Sequence, residues 1–470
     1  MTTFAVIVGN RGFFPSELCE KGRQTILNLL KEKSIKAIVL QPEDTQYGSV
    51  ETFQDAKKCA ALFKRHADEI DGILVTLPNF GDEKAVADSI RMSNLDVPVL
   101  VHAFPDESQK MNISNRRDSF CGKISVCNNL FQYKIPYSLT KLHTVDPASA
   151  LFHKDLQEFE ACCRVVRGLR GARIGAIGAR PAAFNTVRYS EKILEKNGIS
   201  VETIDLFEVI GRIKKLNNNE GKVKVKVDAI KSYINTNGVE EELLIKMAKL
   251  GVVLDEWIEE KELCATAVQC WTAIEEYFGV VPCTVMSMLT ESLSPSGCEV
   301  DIAGAISMLS LQYASGKPSA LLDLNNNYDN EENMCVLFHC SNLPKSVFRE
   351  IRMGYQEIIG GTVGIEKSYG TCIGNIKSGP FTFARVTTDD FNGNIRAYIG
   401  QGEIIDSKLS SFGGYGVARI PDLQKLLNYI CIKGFEHHIA FNPSRVAKVI
   451  NEAFSKYLKW EVFCHKLEQS

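Results

Sequence analysis

Two carboxylates and a histidine stand in the sequence at positions where charge is costly. Glu299 precedes the apolar run VDIAGAISMLSLQYA, Asp323 closes the apolar segment SALLDL, and His339 closes the run MCVLFH. A buried carboxylate or imidazole is unfavourable unless another group offsets its charge, and a divalent metal ion is a common such group. The pair His437–His438, much later in the chain, supplies two further imidazoles.

These residues do not form a local spacing motif, because they fall on different predicted elements. Glu299 and Asp323 are 24 residues apart, and His339 follows 16 residues later. Each has a structural alternative. Glu299 could interact with a helix dipole, and Asp323 could cap a turn. His339 could be a core histidine, and His437–His438 could be an exposed pair. Together, two carboxylates and up to two imidazoles suit Mn²⁺, Mg²⁺, Co²⁺ or Fe²⁺ with open coordination positions, rather than structural zinc.

Composition places the chain among ordinary globular proteins. With 470 residues it exceeds one hydrophobic core, and two to four domains are expected. It is 45% hydrophobic and carries a net charge of −3, which disfavours nucleic acid or an acidic membrane as main partner. The start MTTFAVIVGN indicates a strand rather than a signal peptide, and apolar runs are too short to span a membrane. We therefore expect a cytoplasmic protein, whose 15 cysteines, without a C-x-x-C motif, are reduced thiols.

The pattern of elements predicts the α/β class. Continuous apolar strands (FAVIVGN, KAIVL, DGILVTL, VPVLVHAF) alternate with amphipathic helices, which is typical of a parallel sheet covered on both faces. A second α/β unit begins at ARIGAIGARPAAFNT, where the G-x-G-x-x-G spacing of a dinucleotide site is absent. The charged run KKLNNNEGKVKVKVD that follows is expected to be a solvated loop.

After about residue 345 glycine and threonine become more frequent, and the predicted elements become short strands. FTFARVTT and NIRAYIGQGEI flank Asp-Asp-Phe-Asn-Gly and predict a β-hairpin, and the segment SRVAKVINEAFSKYLKWEV predicts a final helix. The predicted fold therefore has two Rossmann-like parallel-sheet α/β domains, 1–165 and 166–345, followed by an antiparallel β domain, 346–470. The second domain would carry the carboxylates, and the third would supply the metal-site histidine.

Two segments of the chain resemble the L-fucose/L-arabinose isomerase family, and the resemblance extends over nearly the whole length. They are YGTCIGNIKSGPFTFARVTTDDFNGNIRAYIGQGEI (369–404) and GFEHHIAF (434–441), which is similar to the family's double-histidine metal motif. The 24-residue spacing of the carboxylates also matches a fucose isomerase metal site. Asp323 stands where arabinose isomerases carry Glu, so the chain resembles a divergent branch.

The resemblance implies an aldose–ketose isomerase that works through a cis-enediol intermediate. Mn²⁺, or Mg²⁺ or Co²⁺ in its place, would stabilise the charge of that intermediate. Glu299 and Asp323 would be metal ligands that also transfer the protons. His438, the second histidine of the motif, would be a ligand, and His339 a ligand or an outer-shell partner.

The resemblance further implies a monosaccharide substrate and a homo-oligomer, a hexamer with sites between subunits. Arg11 and His102, in loops at strand ends, would then reach a neighbouring site. The sugar would be of the fucose or arabinose type or a modified hexose such as sulfoquinovose. The alternative function is a non-catalytic sugar-binding or sensor protein of the same fold.

Further polar residues are candidates for substrate binding. Asn325, Asn326 and Asn327 follow Asp323 directly and could bind sugar hydroxyls, with a turn as the equally plausible alternative. Lys377 and Arg385 are candidates for binding a charged substituent, or for surface pairs.

Overall fold

The first part of the chain forms a parallel α/β unit. The computed structural model describes residues 2–182 and 184–466, and residues up to Arg167 make one compact unit together with Glu452–Lys459. Its strands are β1 (Thr3–Val8), β2 (Lys36–Ile38), β3 (Gly72–Leu77), β4 (Val99–Ala103) and β5 (Ser138–Leu139), and its helices are α1 (Glu17–Glu32), α2 (Phe53–Arg65), α3 (Glu83–Ser93), α4 (Ser119–Gln132) and α5 (Ala150–Leu169). The strands pair in the order β2-β1-β3-β4-β5, and every pair is parallel, which is the type of sheet that the sequence predicts.

The apolar strands of this unit are continuous because both faces of the sheet are buried. Phe4, Val6 and Val8 pack into one hydrophobic cluster, whereas Ala5 and Ile7 pack into another. Successive residues of a strand point to opposite faces, so a sheet covered by helices on both sides needs apolar residues at every position.

Residues Gly168–Asn451, together with the described residues 460–466, form the second compact unit. It opens with a parallel sheet of β6 (Arg173–Ile177), β7 (Ser200–Ile204), β8 (Ala265–Val268) and β9 (Ser296–Cys298), paired in the order β7-β6-β8-β9. The helices of this part are α6 (Glu191–Lys196), α7 (Leu206–Lys214), α8 (Gly221–Tyr233), α9 (Glu241–Lys261), α10 (Ala273–Phe278), α11 (Cys283–Glu291) and α12 (Ile302–Ser315).

A nine-stranded mixed sheet completes the second unit. Its strands are β10 (Ala320–Asn327), β11 (Met334–His339), β12 (Arg352–Tyr355), β13 (Tyr369–Asn375), β14 (Gly379–Asp389), β15 (Asn394–Ile405), β16 (Gly414–Arg419), β17 (His438–Asn442) and β18 (Glu461–His465). They pair in the order β12-β13-β16-β11-β10-β17-β14-β15-β18, and β15 also pairs with β16, which closes six strands into a ring. Three further helices are α13 (Glu357–Val363), α14 (Leu423–Lys433) and α15 (Ala447–Asn451).

The predicted fold class, two parallel α/β sheets and a C-terminal β-rich sheet, is confirmed, with differences in detail. The last sheet is mixed, because β13 pairs in parallel with β16, and β15 with β18. β10 and β11, which lie in the predicted range 166–345, pair within this sheet and not with the parallel strands. The predicted hairpin is present as β14 and β15. None of the helices among the described residues is long and apolar enough to cross a membrane.

Two local predictions are wrong. The run KVKVKVD is not a loop but part of α8, where Val223, Val227 and Ile230 are buried at helical spacing. Its lysines pair with α9, as in the contact of Lys226 with Asp255 at 2.5 Å. The final segment is not one helix: α15 continues as a π-helical turn, Glu452–Tyr457, and the chain then forms β18.

Candidate metal centre

Glu299 lies in a strained turn at the carboxyl end of a parallel strand. β9 ends directly before it, and Glu299 and Val300 both take left-handed conformations, with φ of 59° and 55°. Residues other than glycine adopt this region at a cost of about 1–3 kcal/mol each. The turn leads into α12, whose Gly304 amide donates to Asp301 Oδ1 at 2.8 Å. Trp271 Nε1 donates to Glu299 Oε1 at 3.1 Å and orients the carboxylate.

The register of the mixed sheet brings Asp323 and His438 together. Asp323 on β10 stands directly opposite His438, the first residue of β17, in an antiparallel pair. Directly opposed side chains on neighbouring strands lie on the same face. His438 Nε2 is 3.3 Å from Asp323 Oδ1 and 3.2 Å from Glu299 Oε2. Carboxylates from two separate elements therefore converge on one imidazole nitrogen.

The other nitrogen of His438 faces a carboxylate that the sequence analysis did not select. His438 Nδ1 lies 2.8 Å from Asp301 Oδ2, and both residues are buried. Arg385 donates to Asp301 through Nη1 at 2.5 Å and Nη2 at 3.0 Å, and through Nε to Glu436 Oε2 at 3.1 Å. The sequence signal for this network was an aspartate before an apolar helix and an arginine inside the apolar strand FTFARVTT.

Arg385 thus makes a different kind of contact from the two expected of it. Its side chain is fully buried, so it does not form a surface pair, and its guanidinium is engaged by Asp301 and Glu436 rather than open to a substrate. A buried charge is stable only when it is paired and hydrogen-bonded, and this arginine meets both conditions.

The other two histidines predicted as site candidates, His339 and His437, lie beside this cluster. His339 is buried, and its Nδ1 is 3.5 Å from Cys340 Sγ. Ligand atoms of Glu299, His339 and His438 all lie within 4.8 Å of one another, which places His339 within reach of an ion held by the other two. His437 is half-exposed, and its Nε2 lies 3.5 Å from Asp323 Oδ1.

Burial and neighbouring charges set the ionisation of these groups. Burial raises the pKa of Glu299 and of Asp323, but the nearby His438 outweighs it, so both pKa values lie below their ordinary range. Burial lowers the pKa of His438, but its contacts with Asp301, Asp323 and Glu299 outweigh burial and raise that pKa well above the ordinary value. Burial and the charge of His438 lower the pKa of His437. His438 is therefore the basic member of the histidine pair.

A cavity of about 380 Å³ opens onto this cluster. Its volume is within the range of small-molecule sites, which are mostly apolar with a few convergent polar groups. Glu299, Asp323 and three histidines provide the ionisable part, while aromatic and aliphatic side chains and a few uncharged polar ones form the rest: Phe184, Trp271, Phe338, Ile358, Ile359, Thr272, Cys340, Gln356 and Thr362.

The donor set fits a divalent cation. Glu299 Oε2 is buried and accepts no hydrogen bond from any described residue. Carboxylate oxygen and imidazole nitrogen together suit Mn²⁺, Co²⁺ or Mg²⁺. The balance of charge also fits a cation. In the described part of the chain, four clustered carboxylates share two basic partners, Arg385 and His438. The carboxylates are those of Glu299, Asp301, Asp323 and Glu436. An excess of negative charge in the interior favours a cation with two positive charges.

The predicted substrate-binding residues of the second unit lie away from this cavity. Asn325, Asn326 and Asn327 are exposed at the end of β10, and the described residues that line the cavity do not include them. The turn expected as their alternative is not found, because all three belong to β10, where Asn326 pairs with Val336 of β11. Lys377 is exposed, and its Nζ donates to the carbonyl oxygen of residue 346 at 3.0 Å. A role for these residues toward a sugar stays a prediction.

The two predicted residues of the first unit differ in their surroundings. Arg11 pairs with Glu83 and lies 4.3 Å from the ring centre of Phe80. His102 is fully buried on β4, with Nδ1 2.9 Å from Thr76 Oγ1 and Nε2 2.8 Å from the Val145 carbonyl oxygen. Both ring nitrogens of His102 are thus engaged within the unit, which accounts for its burial.

Comparison with known proteins places the chain among sugar isomerases. A family model described as fucose/sulfoquinovose isomerase, N-terminal domain, matches residues 5–170, and one described as L-fucose isomerase, C-terminal domain, matches residues 337–466. The sulfoquinovose isomerase of Priestia aryabhattai is 26% identical over 340 residues, which cover 72% of each chain. That of Alkalicoccus urumqiensis is 25% identical over 391 residues, or 81% of this chain and 83% of the relative.

The family models and the named relatives together define an aldose–ketose isomerase. The two family models cover both ends of the chain and more than half of its length. The chain belongs to the fucose isomerase-like family, and the resemblance seen in its sequence is confirmed.

The two neighbouring histidines are expected to contribute unequally to metal binding. His438→Ala removes the nitrogen on which both carboxylates converge, so we expect Mn²⁺ affinity, measured by calorimetry, to fall by more than about tenfold. His437→Ala is the matched control at the adjacent position and should have the smaller effect, since this side chain is half-exposed. The reverse order would show that His437 is the ligand.

Metal affinity is expected to rise with pH. The pKa of His438 is raised well above its ordinary value, so a cation that takes Nε2 must displace a proton at neutral pH. Below that raised pKa, the apparent affinity should increase roughly tenfold per pH unit for one released proton. Calorimetry in buffers of different ionisation enthalpy counts that proton, and His437→Ala should release the same number. Binding without proton release would contradict the assignment of Nε2.

Proposed function

We propose that the chain is a divalent-cation-dependent isomerase that converts a monosaccharide aldose into its ketose through a cis-enediol. The observation that carries the proposal is the convergence of Glu299 Oε2 and Asp323 Oδ1 on His438 Nε2 beside the cavity. Such an arrangement places two carboxylates within reach of the same small substrate. Family membership supports the reaction class, and the geometry supports the identity of the residues.

Four residues would hold the cation. Glu299, Asp323 and His438 offer the atoms already described, and His339 is the fourth candidate because its ligand atom lies within 4.8 Å of those of Glu299 and His438. A bound divalent ion supplies Lewis-acid stabilisation of the negative charge that develops on the substrate oxygens. Trp271 keeps one oxygen of Glu299 in a fixed direction through its indole N–H.

Glu299 and Asp323 are also suited to move protons. Their lowered pKa values keep both ionised at neutral pH, so each starts as a proton acceptor. One carboxylate takes the proton from C2 of the aldose and returns it to C1, and the other serves the proton exchange between O1 and O2. Because they come from different elements, a turn and a strand, they can face different atoms of one substrate.

The substrate we propose to test first is sulfoquinovose, with L-fucose second. The matching relatives of Priestia aryabhattai and Alkalicoccus urumqiensis are named sulfoquinovose isomerases. The cavity volume of about 380 Å³ is compatible with a monosaccharide. Trp271, Phe184 and Phe338 line the cavity with aromatic rings, against which the apolar face of a sugar ring can pack.

We also propose that the protein assembles with copies of itself, as a hexamer. Supporting this is an apolar surface on the first unit, around α4. Phe120, Ile124 and Phe131 are exposed on this helix, and Leu139 and Leu142 are exposed nearby in sequence. Clustered large apolar side chains of this kind mark protein–protein contacts.

Turnover with and without the two carboxylates tests the proposed chemistry. Glu299→Gln and Asp323→Asn should each lower kcat on the best aldose by about 10²–10⁴-fold, because each removes a proton-transfer group. Glu331→Gln, at an exposed acid between β10 and β11, is the matched control and should retain activity.

The aldoses tested include sulfoquinovose and L-fucose. Removing the metal with a chelator should abolish turnover, and adding Mn²⁺ should restore it. Activity that survives chelation, or near-parental activity in either variant, contradicts the proposal; binding without turnover would favour a sugar sensor.

Charges placed on the apolar surface of α4 should prevent assembly. Ile124 and Phe131 are 55% and 71% exposed, so replacing both by Asp should leave the fold of one chain intact. Light scattering should show a lower mass than for the parent. Lys57→Asp, an exposed charge change on α2 of the same unit, should keep the parental mass. A monomeric parent would contradict the oligomer, and an assembled double variant would show that this surface is not the contact.

A further inference from the structure

We propose that Asp301 is a positioning residue that fixes the orientation and tautomer of His438. This inference rests on the proposed function, because it assumes that Nε2 of His438 binds the cation. Neither the resemblance to a known family nor the carboxylate spacing selects Asp301. The inference comes from the hydrogen bonds around its carboxylate.

Four nitrogen atoms of described residues contact the carboxylate of Asp301. Oδ1 accepts from the Gly304 amide at 2.8 Å and from Arg385 Nη2 at 3.0 Å. Oδ2 accepts from Arg385 Nη1 at 2.5 Å and lies 2.8 Å from His438 Nδ1. The first three partners are obligate donors, and an ionised carboxylate can only accept. The proton between Asp301 and His438 therefore belongs to Nδ1.

The position of this proton decides which nitrogen of the His438 ring carries a lone pair. A neutral ring that carries its proton on Nδ1 has its lone pair on Nε2. Nε2 is the nitrogen that faces Glu299 and Asp323. A metal-binding histidine commonly donates its second ring N–H to a carboxylate, which fixes the ring and its tautomer. Asp301 would play this part for His438.

The carboxylate of Asp301 is itself held in one orientation. It is fully buried, caps α12 and is held by two nitrogens of one guanidinium. Arg385 also donates to Glu436, two residues before His438, and Thr387 Oγ1 donates to the other oxygen of Glu436 at 2.7 Å. The ring of His438 is thus set from one side by Asp301 and from the other by its own chain segment.

Glu436 offers a matched control for this role. Like Asp301, it is a buried carboxylate paired with Arg385, and its loss would disturb the same cation. Unlike Asp301, its recorded hydrogen bonds go to Arg385 and Thr387 and not to His438. A purely structural role predicts similar effects of the two substitutions, whereas a positioning role predicts a difference in metal binding.

The experiment compares Asp301→Asn with Glu436→Gln in the full chain. Mn²⁺ affinity is measured by calorimetry, and thermal unfolding is followed in the presence of a chelator. In Asp301→Asn the new side-chain amide would donate to Nδ1 and move the ring proton to Nε2, so we expect affinity for Mn²⁺ to fall about 10–100-fold. Glu436→Gln removes one buried negative charge but leaves the contact between Asp301 and His438 in place, so its loss of affinity should be clearly smaller than that of Asp301→Asn, even where its melting temperature falls as far.

The outcomes separate this inference from the proposed function. A parent that binds Mn²⁺ beside an Asp301→Asn variant with parental affinity overturns the inference alone, as do equal losses of affinity in the two variants. A parent that binds no Mn²⁺ overturns the metal dependence as well. If Asp301→Asn does not fold, a crystal structure of the Mn²⁺-loaded parent decides: Nδ1 facing Asp301 and Nε2 on the ion support the inference, and a flipped ring overturns it.

Discussion

The site depends on one fully buried guanidinium. Arg385 joins the turn that carries Glu299, through Asp301, to the segment that carries His438, through Glu436. Removing one partner of a buried ion pair costs about 3–5 kcal/mol, because the other charge is left uncompensated. The same arginine thus holds in place two chain segments that belong to different sheets, and their ligand atoms meet as a consequence.

The helix between these segments explains how a strained turn is maintained. α12 is apolar nearly all round because it packs on the parallel strand β8 and on β14 and β17 of the mixed sheet. Burial of such a helix contributes far more than the roughly 1–3 kcal/mol that each left-handed residue of the Glu299–Val300 turn costs. Strain at Glu299 is therefore offset by packing that lies outside the cavity.

Local patterns in the sequence predict much of this fold, but not the contacts that complete the site. Continuous apolar strands identify the parallel sheets, since only a sheet buried on both faces needs them. The high charge of the run KKLNNNEGKVKVKVD misleads, because α8 is stabilised by packing and by ion pairs with α9 that no local pattern shows. The pairing of Asp323 with His438 is a register across more than a hundred residues. Asp301 is not predicted as a site residue, because an aspartate directly before a helix is already explained by capping that helix.

The residues that line the cavity fall into two groups: a floor of Glu299, Asp323 and His438, and walls of apolar and uncharged side chains. The two groups are under different constraints. His438 contacts Glu299 and Asp323 and is also held by the buried Asp301, so few substitutions would preserve the geometry of this network. The walls come in part from α13, whose Ile358, Ile359 and Thr362 contribute shape rather than charge. Side chains of that kind can change size with little effect on the buried network. We therefore expect relatives that keep the floor to share one chemistry and accept different sugars, and we expect the wall residues, which lie outside the charged network, to select the substrate of this chain.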